Sequence, residues 1–440
     1  MVKNAESVKS AWTSDKGSMA SKTSQSLWPK IVQYMIDNVS STSNNISPSP
    51  RLEELKSIRG RLESLQTEII NGVELSPLDD DGSSDIGAYN QQLDELGGVA
   101  WLNCPWLYGE CYLYRRVQLI FSMTTSWREY DVFNSQNHSI LAKSQPCIEQ
   151  LAIKYIPVLA TLNEFLKSLD DNKATALFLD MINLTLWGNA ADFSLTDDLS
   201  FTETQALHRM PPIDKMEQII VDNDALEAWE HLRNARETIP ERRVDMVLDK
   251  SGFELFTDLI FAAYLIESDL ATSVTLHTKA LPWFVSNATS KDVHFLLDYL
   301  QSNGVTFLVS LIKRYIDSGV MSVEADPFWT TAFSFHEMKD QAPMLFQRLQ
   351  NSHLTILKGD LNYRKLTKDG LWPHTTPFKN ALGCLGQESQ VKVLALSMNR
   401  SDTSVGIESE EKVESLDREA PGKSWVQDGT HAVVSFSNGL

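Results

Sequence analysis

The sequence has 440 residues, with 39 Lys or Arg against 58 Asp or Glu, so its formal net charge is −19. This acidic balance disfavours a nucleic-acid binder, which needs a basic face to replace phosphate counterions, and it disfavours adhesion to anionic membranes. An apolar share of 42%, with eleven tryptophans and eighteen phenylalanines, excludes disorder over most of the chain.

Signals for secretion, membrane insertion and disulfide formation are absent from the sequence pattern. The first residues contain no apolar run like that of a signal peptide, and no window reaches the roughly eighteen apolar residues of a membrane span. The four cysteines are too few for a disulfide scaffold of this size, so we expect reduced and mostly buried thiols. We therefore expect a cytoplasmic protein.

The first half of the chain has helical patterns. Residues 1–26 are rich in Ser, Thr and Lys, and we expect them to be disordered. From Leu27 onward, apolar residues recur at steps of three and four, and a second stripe of this kind runs from Leu52 to Ile69. Residues 27–210 are therefore predicted to form a mainly helical N-terminal part.

The second half alternates short β-rich runs with helical patterns. The runs occupy residues 244–248, 273–279, 354–360 and 392–398, and a last run lies near the C-terminus. Such spacing is typical of βαβ crossovers, so residues 211–440 are predicted to form a three-layer α/β/α domain with a mostly parallel sheet. The acidic stretch 407–419 is expected to be a solvated surface loop.

Polar residues end three of the apolar runs, namely Asp249, Asn287 and Asp360. In open α/β sheets, ligands bind beyond the carboxyl ends of the strands. Carboxylate and amide oxygens there suit Mg²⁺ or Mn²⁺, and the Lys-Ser-Gly after Asp249 would place backbone N–H groups at a helix N-terminus, where they suit phosphate. An Asp at such a junction is also a common helix N-cap, so a structural role stays open.

The segment 358–366 adds positive charge near one of these ends. Arg364 offers a bidentate fork for phosphate, and Lys358 and Lys365 offer point charges, although a solvated basic loop would have the same composition. Other chemistries have little support, because the sequence contains no P-loop, no Gly-x-Ser-x-Gly elbow and no Gly-x-Gly-x-x-Gly turn.

Several strings together resemble the damage-control phosphatase family. They are WLNCPWLYGECYLYRR, LWGNAADFSL, VLDKSGFELFTDL, LPWFVSN and LTILKGDLNYRKL. The resemblance is to the metal-dependent sugar-phosphate phosphatases, a subfamily also described as acidic-residue carboxyl methyltransferases, and it runs from about Leu27 to Phe436. It implies an N-terminal helical part and an α/β/α domain, with Mn²⁺ or a similar divalent ion at the strand ends.

The resemblance also implies site residues, with departures from the family pattern. Asp249 is retained as a metal ligand, but Lys250 stands where the family has Asn, and Asn287 stands where it has Asp. Positions that match a substrate-contacting Glu, a substrate-binding loop and the last residue of an Arg-Thr-x-Lys signature are Glu254, Asp360, Leu361, Asn362, Tyr363, Arg364 and Arg400.

The departures keep several functions open. The family's three ligands include two carboxylates, whereas Asp249, Lys250 and Asn287 carry charges that sum to zero, which weakens affinity for a hard cation. We predict a phosphomonoester hydrolase for sugar phosphates or related metabolites, with Asp249, Lys250 and Asp360 as catalytic residues and a degraded metal site at Asp249 and Asn287.

Two alternatives to this hydrolase remain. One is a diverged family member, a pseudoenzyme that binds a ligand or assists a pathway without bound metal, and the other is a carboxyl O-methyltransferase. The expected partner in each case is a small anionic metabolite, with no nucleic acid and no membrane. The oligomeric state is left open.

Overall fold

A seven-stranded sheet forms the centre of the molecule in the computed structural model, which describes residues 8–165, 171–190 and 218–440. The strands are β1 (Ile220–Asn223), β2 (Arg243–Val247), β3 (Ser273–His277), β4 (Met321–Glu324), β5 (Leu354–Lys358), β6 (Val393–Met398) and β7 (Ala432–Ser437). Their order is β1-β7-β6-β5-β2-β3-β4, and neighbours are parallel except for the antiparallel β6–β7 pair.

Helices account for the described residues before the sheet. They are α1 (Met19–Lys22), α2 (Trp28–Asn44), α3 (Pro50–Ile70), α4 (Ile86–Leu96), α5 (Trp106–Ser122), α6 (Asn134–Lys143), α7 (Gln145–Phe165) and α8 (Asp171–Ala190). Helix α3 shows why they form where they do. Pro50 occupies its first turn, the Ser49 side chain accepts a hydrogen bond from the Leu52 amide, and one apolar stripe is buried.

The remaining helices connect the strands. They are α9 (Ala225–Ala235), α10 (Phe253–Glu267), α11 (Ser290–Ser302), α12 (Thr306–Asp317), α13 (Met338–Gln341), α14 (Pro343–Gln350), α15 (Gly359–Leu366), α16 (Glu410–Glu419) and α17 (Ser424–Gln427). Helix α10 is apolar on nearly all sides, and almost every one of its residues is buried. This is typical of a helix enclosed within a core.

Two apolar cores cover the two faces of the sheet. Alternate strand residues such as Val244 and Met246 pack with α7 to α12, whereas Val247 and Leu357 pack with α14 to α16 on the other face. The predicted three-layer α/β/α fold with a mostly parallel sheet is therefore confirmed. A third core, built mainly from α2 to α5, forms the N-terminal helical part.

The expected disorder of residues 1–26 is wrong for residues 8–26. Ala11, Thr13 and Ala20 are buried, the Ala11 amide donates to the Asp369 carbonyl, and the Ala11 carbonyl accepts from the Trp106 amide. This close packing requires small side chains. The Ser- and Thr-rich composition, which resembles that of a frayed terminus, therefore belongs to a segment with buried residues. Residues 1–7 lie outside the described residues.

The helices of the predicted N-terminal part do not all share one core. Helices α7 and α8 pack with α10 in the core of the sheet and not with α2 to α5, so they belong to the α/β/α layers. The boundary expected at residue 210 lies outside the described residues. No helix in the described part of the chain is long and apolar enough to cross a membrane.

The acidic stretch 407–419 is helical over most of its length, so its prediction as a loop is wrong. Helix α16 begins after Ser409, whose side chain accepts from the Lys412 amide, and it buries Val413 and Leu416. Strands β1 and β4 were not predicted. Each has only four residues, which is too short for alternation to stand out from the surrounding polar sequence.

Candidate functional site

The carboxyl ends of β2, β3 and β5 meet at one edge of the sheet. Val247 is paired with His277 of β3 and with Leu357 of β5, so these strands end almost level. Asp249 lies two residues beyond the last residue of β2, and Lys279 lies two residues beyond the last residue of β3. Register alone therefore places both side chains at the same edge, as expected for a parallel sheet.

The structure brings Asp249, Lys250 and Asn287 together. The Asn287 side-chain amide donates to the Asp249 carboxylate with an Nδ2–Oδ1 distance of 2.9 Å, and both side chains are buried. Lys250 is paired with Asn287 through the backbone, and its Nζ donates to the Phe284 carbonyl at 3.4 Å. The three positions that the resemblance assigns to one site are thus neighbours in space.

The loop that carries Asn287 has a strained backbone. Phe284 and Val285 have φ angles of 44° and 63°, a left-handed conformation that side chains disfavour, above all β-branched ones. Helices α5 and α6 hold this conformation, because Tyr114 stacks on Phe284 with ring centroids 4.7 Å apart and the Asn137 amide donates to the Val285 carbonyl. The N-terminal helices therefore help to position the site.

Helix α10 begins beside Asp249, as the sequence predicts, so the positive end of its dipole lies at this edge of the sheet. The sequence predicts that the backbone N–H groups of the Lys-Ser-Gly segment bind phosphate. The Ser251 N–H instead donates to the Ser286 carbonyl. The Lys-Ser-Gly segment thus helps to fix the strained loop in addition to starting the helix.

The carboxyl of Asp249 is enclosed on every side. Burial raises the pKa of Asp249 to about 7, the ammonium groups of Lys250 and Lys279 act against this rise, and the carboxylates of Glu254 and Asp360 add to it. Gly359, with a φ of 80°, packs directly on Asp249, since a Cβ at this position would lie 1.9 Å from Oδ2. Only glycine fits here.

Lys279 is a site residue that the sequence reasoning missed. It is 1% exposed, and its Nζ donates to the Leu248 carbonyl at 3.1 Å and to Oδ1 of Asn362 at 3.4 Å. Burial lowers the pKa of Lys279 to about 7, although the Asp249 carboxylate acts against this change. The strand-end rule that selected Asp249 would have selected Lys279 as well, had it been applied to the run at 273–279.

A buried group of paired charges lies next to the site, and we name Glu254, Asp258 and Lys358 the paired cluster. The Lys358 ammonium is 2.7 Å from Asp258 Oδ1 and 3.1 Å from Glu254 Oε1, and it also donates to the Thr185 carbonyl. Burial lowers the pKa of Lys358, but the two carboxylates outweigh that effect and leave it above its usual value. The expectation that Lys358 offers its charge to phosphate is wrong.

The predicted substrate-binding loop is the buried helix α15. Leu361 packs in the core of the N-terminal helices, and the Asn362 amide donates to the Lys358 carbonyl at 2.7 Å. The hydroxyl of Tyr363 accepts a hydrogen bond from the Val405 amide. Asp360 is the partly exposed member of the set Asp360 to Arg364. Most of α15 is therefore buried and contacts other parts of the protein.

Arg364 is bound to carboxylates of the protein. Its guanidinium donates to Glu110 at 2.6 Å and to both oxygens of Asp369 at 3.0 Å, and it lies over the ring of Trp106. Its bidentate contact is therefore with Asp369 and its third donor reaches Glu110 of α5, so the phosphate contact expected from the sequence stays a prediction. Lys365 is buried too, and its Nζ donates to the Thr331 carbonyl.

Arg400 lies at the same edge but farther along the sheet. It follows the end of β6 by two residues, β5 separates β6 from β2, and the Arg400 side chain packs against Gly429. It is partly exposed. The structure therefore leaves its predicted contact with substrate as a prediction.

The donor set fits a divalent metal ion poorly. Among the described residues, no group of three or more His, Cys, Asp and Glu side chains could hold a metal. The buried Asn287 Oδ1 accepts no hydrogen bond within that part of the chain, which is a feature that an ion could use. However, the positions around it supply one carboxylate, one amide oxygen and one ammonium, and hard cations require more anionic oxygen.

Comparison with known families matches residues 23–416 to a family model described as the damage-control phosphatase ARMT1-like domain. Among curated proteins, damage-control phosphatase ARMT1 of Danio rerio is 31% identical, with 96% of this chain and 95% of that protein covered. The proteins of the same name from Mus musculus and Homo sapiens are each 29% identical, with 97% of this chain and 98% of theirs covered.

Among solved structures, a DUF89 family protein from Pyrococcus horikoshii aligns over 94% of this chain and 97% of its own. The identity is 12% and the TM-score is 0.46, so this likeness is too weak to bear on fold or function.

Proposed function

We propose that this chain, which belongs to the damage-control phosphatase family, binds a phosphomonoester of a small metabolite and hydrolyses it at the carboxyl ends of β2, β3 and β5. The observation that supports this most is the close approach of Asp249, Lys250 and Asn287, which the family pattern places at one reaction site. A sugar phosphate is the substrate class that the resemblance implies.

Four polar residues at this edge have proposed roles. Lys250 holds the phosphoryl oxygens by charge and hydrogen bonds, since an ammonium group has three donors. Asp360 accepts hydrogen bonds from hydroxyl groups of the metabolite, and Glu254 fixes Lys358 and thereby the end of β5. Arg400 is retained as a second phosphate contact. Most of the catalysis would then be positioning and electrostatic stabilisation.

Family membership supports a divalent metal as the general cofactor, and Mn²⁺ or a similar ion is the one that the resemblance implies. Such an ion would supply a Lewis acid for the phosphoryl oxygens. Asp249 and Asn287 would have to hold it. Because the donor set around them fits an ion poorly, the roles proposed here involve only the side chains of this chain.

The test is release of inorganic phosphate from a panel of hexose and pentose monophosphates, measured with chelator and with Mn²⁺, Co²⁺ or Ni²⁺. We expect release from at least one member of the panel, and we expect Asp249→Asn to reduce kcat by about a hundredfold or more. Asp298→Asn, at an exposed position on α11, is the matched control and should leave the rate unchanged. No release from any member under any condition would contradict hydrolysis.

A second candidate function is binding without turnover. It is favoured by the same three positions, because Asp249, Lys250 and Asn287 together carry no net charge. This candidate predicts that a phosphorylated metabolite raises the melting temperature while no phosphate is released. Recovery of release after Lys250→Asn with Asn287→Asp would support it.

A further inference from the structure

Two lysines flank the Asp249 carboxylate at the candidate site. Lys250 follows Asp249 in the chain, and Lys279 enters from the end of β3, where its Nζ contacts the Leu248 carbonyl. Both ammonium groups act on Asp249 through their charge and favour its ionised form. Two cationic groups therefore surround the place where the resemblance implies a divalent cation.

The other carboxylates nearby are engaged or lie at the rim. Glu254 contacts the Lys358 ammonium at 3.1 Å, and Asp258 contacts it at 2.7 Å. Asp360 is partly exposed at the start of α15. Within the described residues, Lys279 donates hydrogen bonds to neutral oxygens, those of the Leu248 carbonyl and the Asn362 side-chain amide. Its positive charge thus has no direct carboxylate contact in the described part of the chain.

Asn287 points to the same conclusion. Its amide nitrogen donates to the Asp249 carboxylate at 2.9 Å, so one oxygen of this carboxylate already accepts a hydrogen bond from the chain. A divalent cation placed there would meet this donor and two ammonium charges. Repulsion between a unit charge and a divalent ion about 4 Å apart is large even at the effective dielectric of a protein surface.

We infer that Lys250 and Lys279 supply, within the chain, the positive charge that a divalent ion supplies in the family's site, and that this site binds a phosphate group without metal. This rests on the proposed function, since it concerns the same site. Lys250 is the partly exposed group that contacts phosphate, and buried Lys279 adds charge behind it. A phosphate dianion in turn favours the protonated form of both amines.

The first test is calorimetric titration of the full-length protein after removal of metals with chelator. We expect inorganic phosphate to bind in the presence of chelator, and we expect Mn²⁺ alone to give no saturable binding. Lys250→Met should weaken phosphate binding by about tenfold or more. Lys291→Met, at an exposed lysine paired with Glu129, is the matched control and should bind phosphate like the wild type. Phosphate binding that requires Mn²⁺ would overturn the inference.

The second test restores the family's ligands with Lys250→Asn and Asn287→Asp together. We expect this variant to gain stoichiometric Mn²⁺ binding and to lose metal-independent phosphate binding. Circular dichroism checks its fold, and Asn287→Asp alone serves if the double variant is unfolded, since it should raise Mn²⁺ affinity in part. Equal Mn²⁺ binding by wild type and variant would contradict the inference while leaving hydrolysis intact. If the proposed function itself is wrong, phosphate binds neither with nor without metal, and this result differs from each outcome above.

Discussion

Two buried lysines at the ends of strands on either side of β2 have opposite surroundings. Lys358, at the end of β5, lies within 3.1 Å of two carboxylates, and its pKa is raised, whereas Lys279, beyond β3, contacts neutral oxygens, and burial lowers its pKa to about 7. Removing an ammonium that has buried carboxylate partners destabilises the fold, because the carboxylates are left without a compensating charge. An ammonium that is buried without such partners costs stability unless a ligand compensates for it, and this difference separates the paired cluster from the candidate site.

The largest expected effect is in the paired cluster. Lys358→Met leaves the carboxylates of Glu254 and Asp258 buried without their cation, so we expect a loss of about 4 kcal/mol in the free energy of unfolding, measured by urea denaturation. Lys313→Met, at an exposed site on α12, should change stability by less than about 0.5 kcal/mol. A small loss for Lys358→Met would show that the ion pairs of the paired cluster contribute little to stability.

Arg364 extends the comparison to a third cationic group. Arg364→Lys removes the bidentate contact with Asp369 and one donor to Glu110, so we expect a loss of about 2 kcal/mol in stability with phosphate affinity unchanged. Denaturation and calorimetry on the same sample separate the two effects. Weaker phosphate binding at unchanged stability would return Arg364 to its sequence-predicted role at the ligand.

Gly359 lies between Lys358 of the paired cluster and Asp360 of the candidate site, and it packs on Asp249. Gly359→Ala would place a Cβ against Asp249 Oδ2 at a φ of 80°, so we expect a loss of about 2 kcal/mol together with loss of phosphate binding. Gly60→Ala, in a helix with open space around the glycine, should instead stabilise the protein by about 0.5 kcal/mol. Normal phosphate binding in Gly359→Ala would show that Asp249 can move without consequence.

The smallest expected loss of stability is that of Lys279→Met. Its folded-state pKa of about 7 lies below the usual 10.5, so the unfolded chain binds more protons between these values and wild-type stability rises with pH across that window. Lys279→Met should remove this pH dependence, so the variant should be more stable than the wild type near pH 7, and the difference should shrink toward pH 10. Unfolding curves for both proteins measured from pH 7 to 10 give the difference. A loss of stability as large as that of Lys358→Met would show that Lys279 stabilises the fold as Lys358 does.

The sheet and the candidate site could be predicted to different extents. Runs such as 244–248 and 354–360 are recognisable as strands because short apolar runs bounded by turn residues are local signals. The proximity of Asp249 to Asn287 followed from the strand-end rule together with the family resemblance. What could not be predicted was which charges are paired across the fold, since Glu110 lies 254 residues from Arg364 and Asp258 lies 100 residues from Lys358.

The basic residues of segment 358–366 illustrate this limit. In sequence they resemble a basic loop or a phosphate cradle, and only tertiary contacts show that Lys358, Arg364 and Lys365 are buried in α15 and at the end of β5. Lys279 was missed for the opposite reason, because a single lysine at the end of a β-rich run is unremarkable until the register aligns it with Asp249.

Elemental analysis of the purified protein, produced with Mn²⁺, Co²⁺ and Ni²⁺ in the growth medium, tests the central claim most directly. If Lys250 and Lys279 replace the ion, the metal content stays far below one equivalent while phosphate still binds. One equivalent of metal that disappears in Asp249→Ala, together with phosphate binding, would contradict the claim.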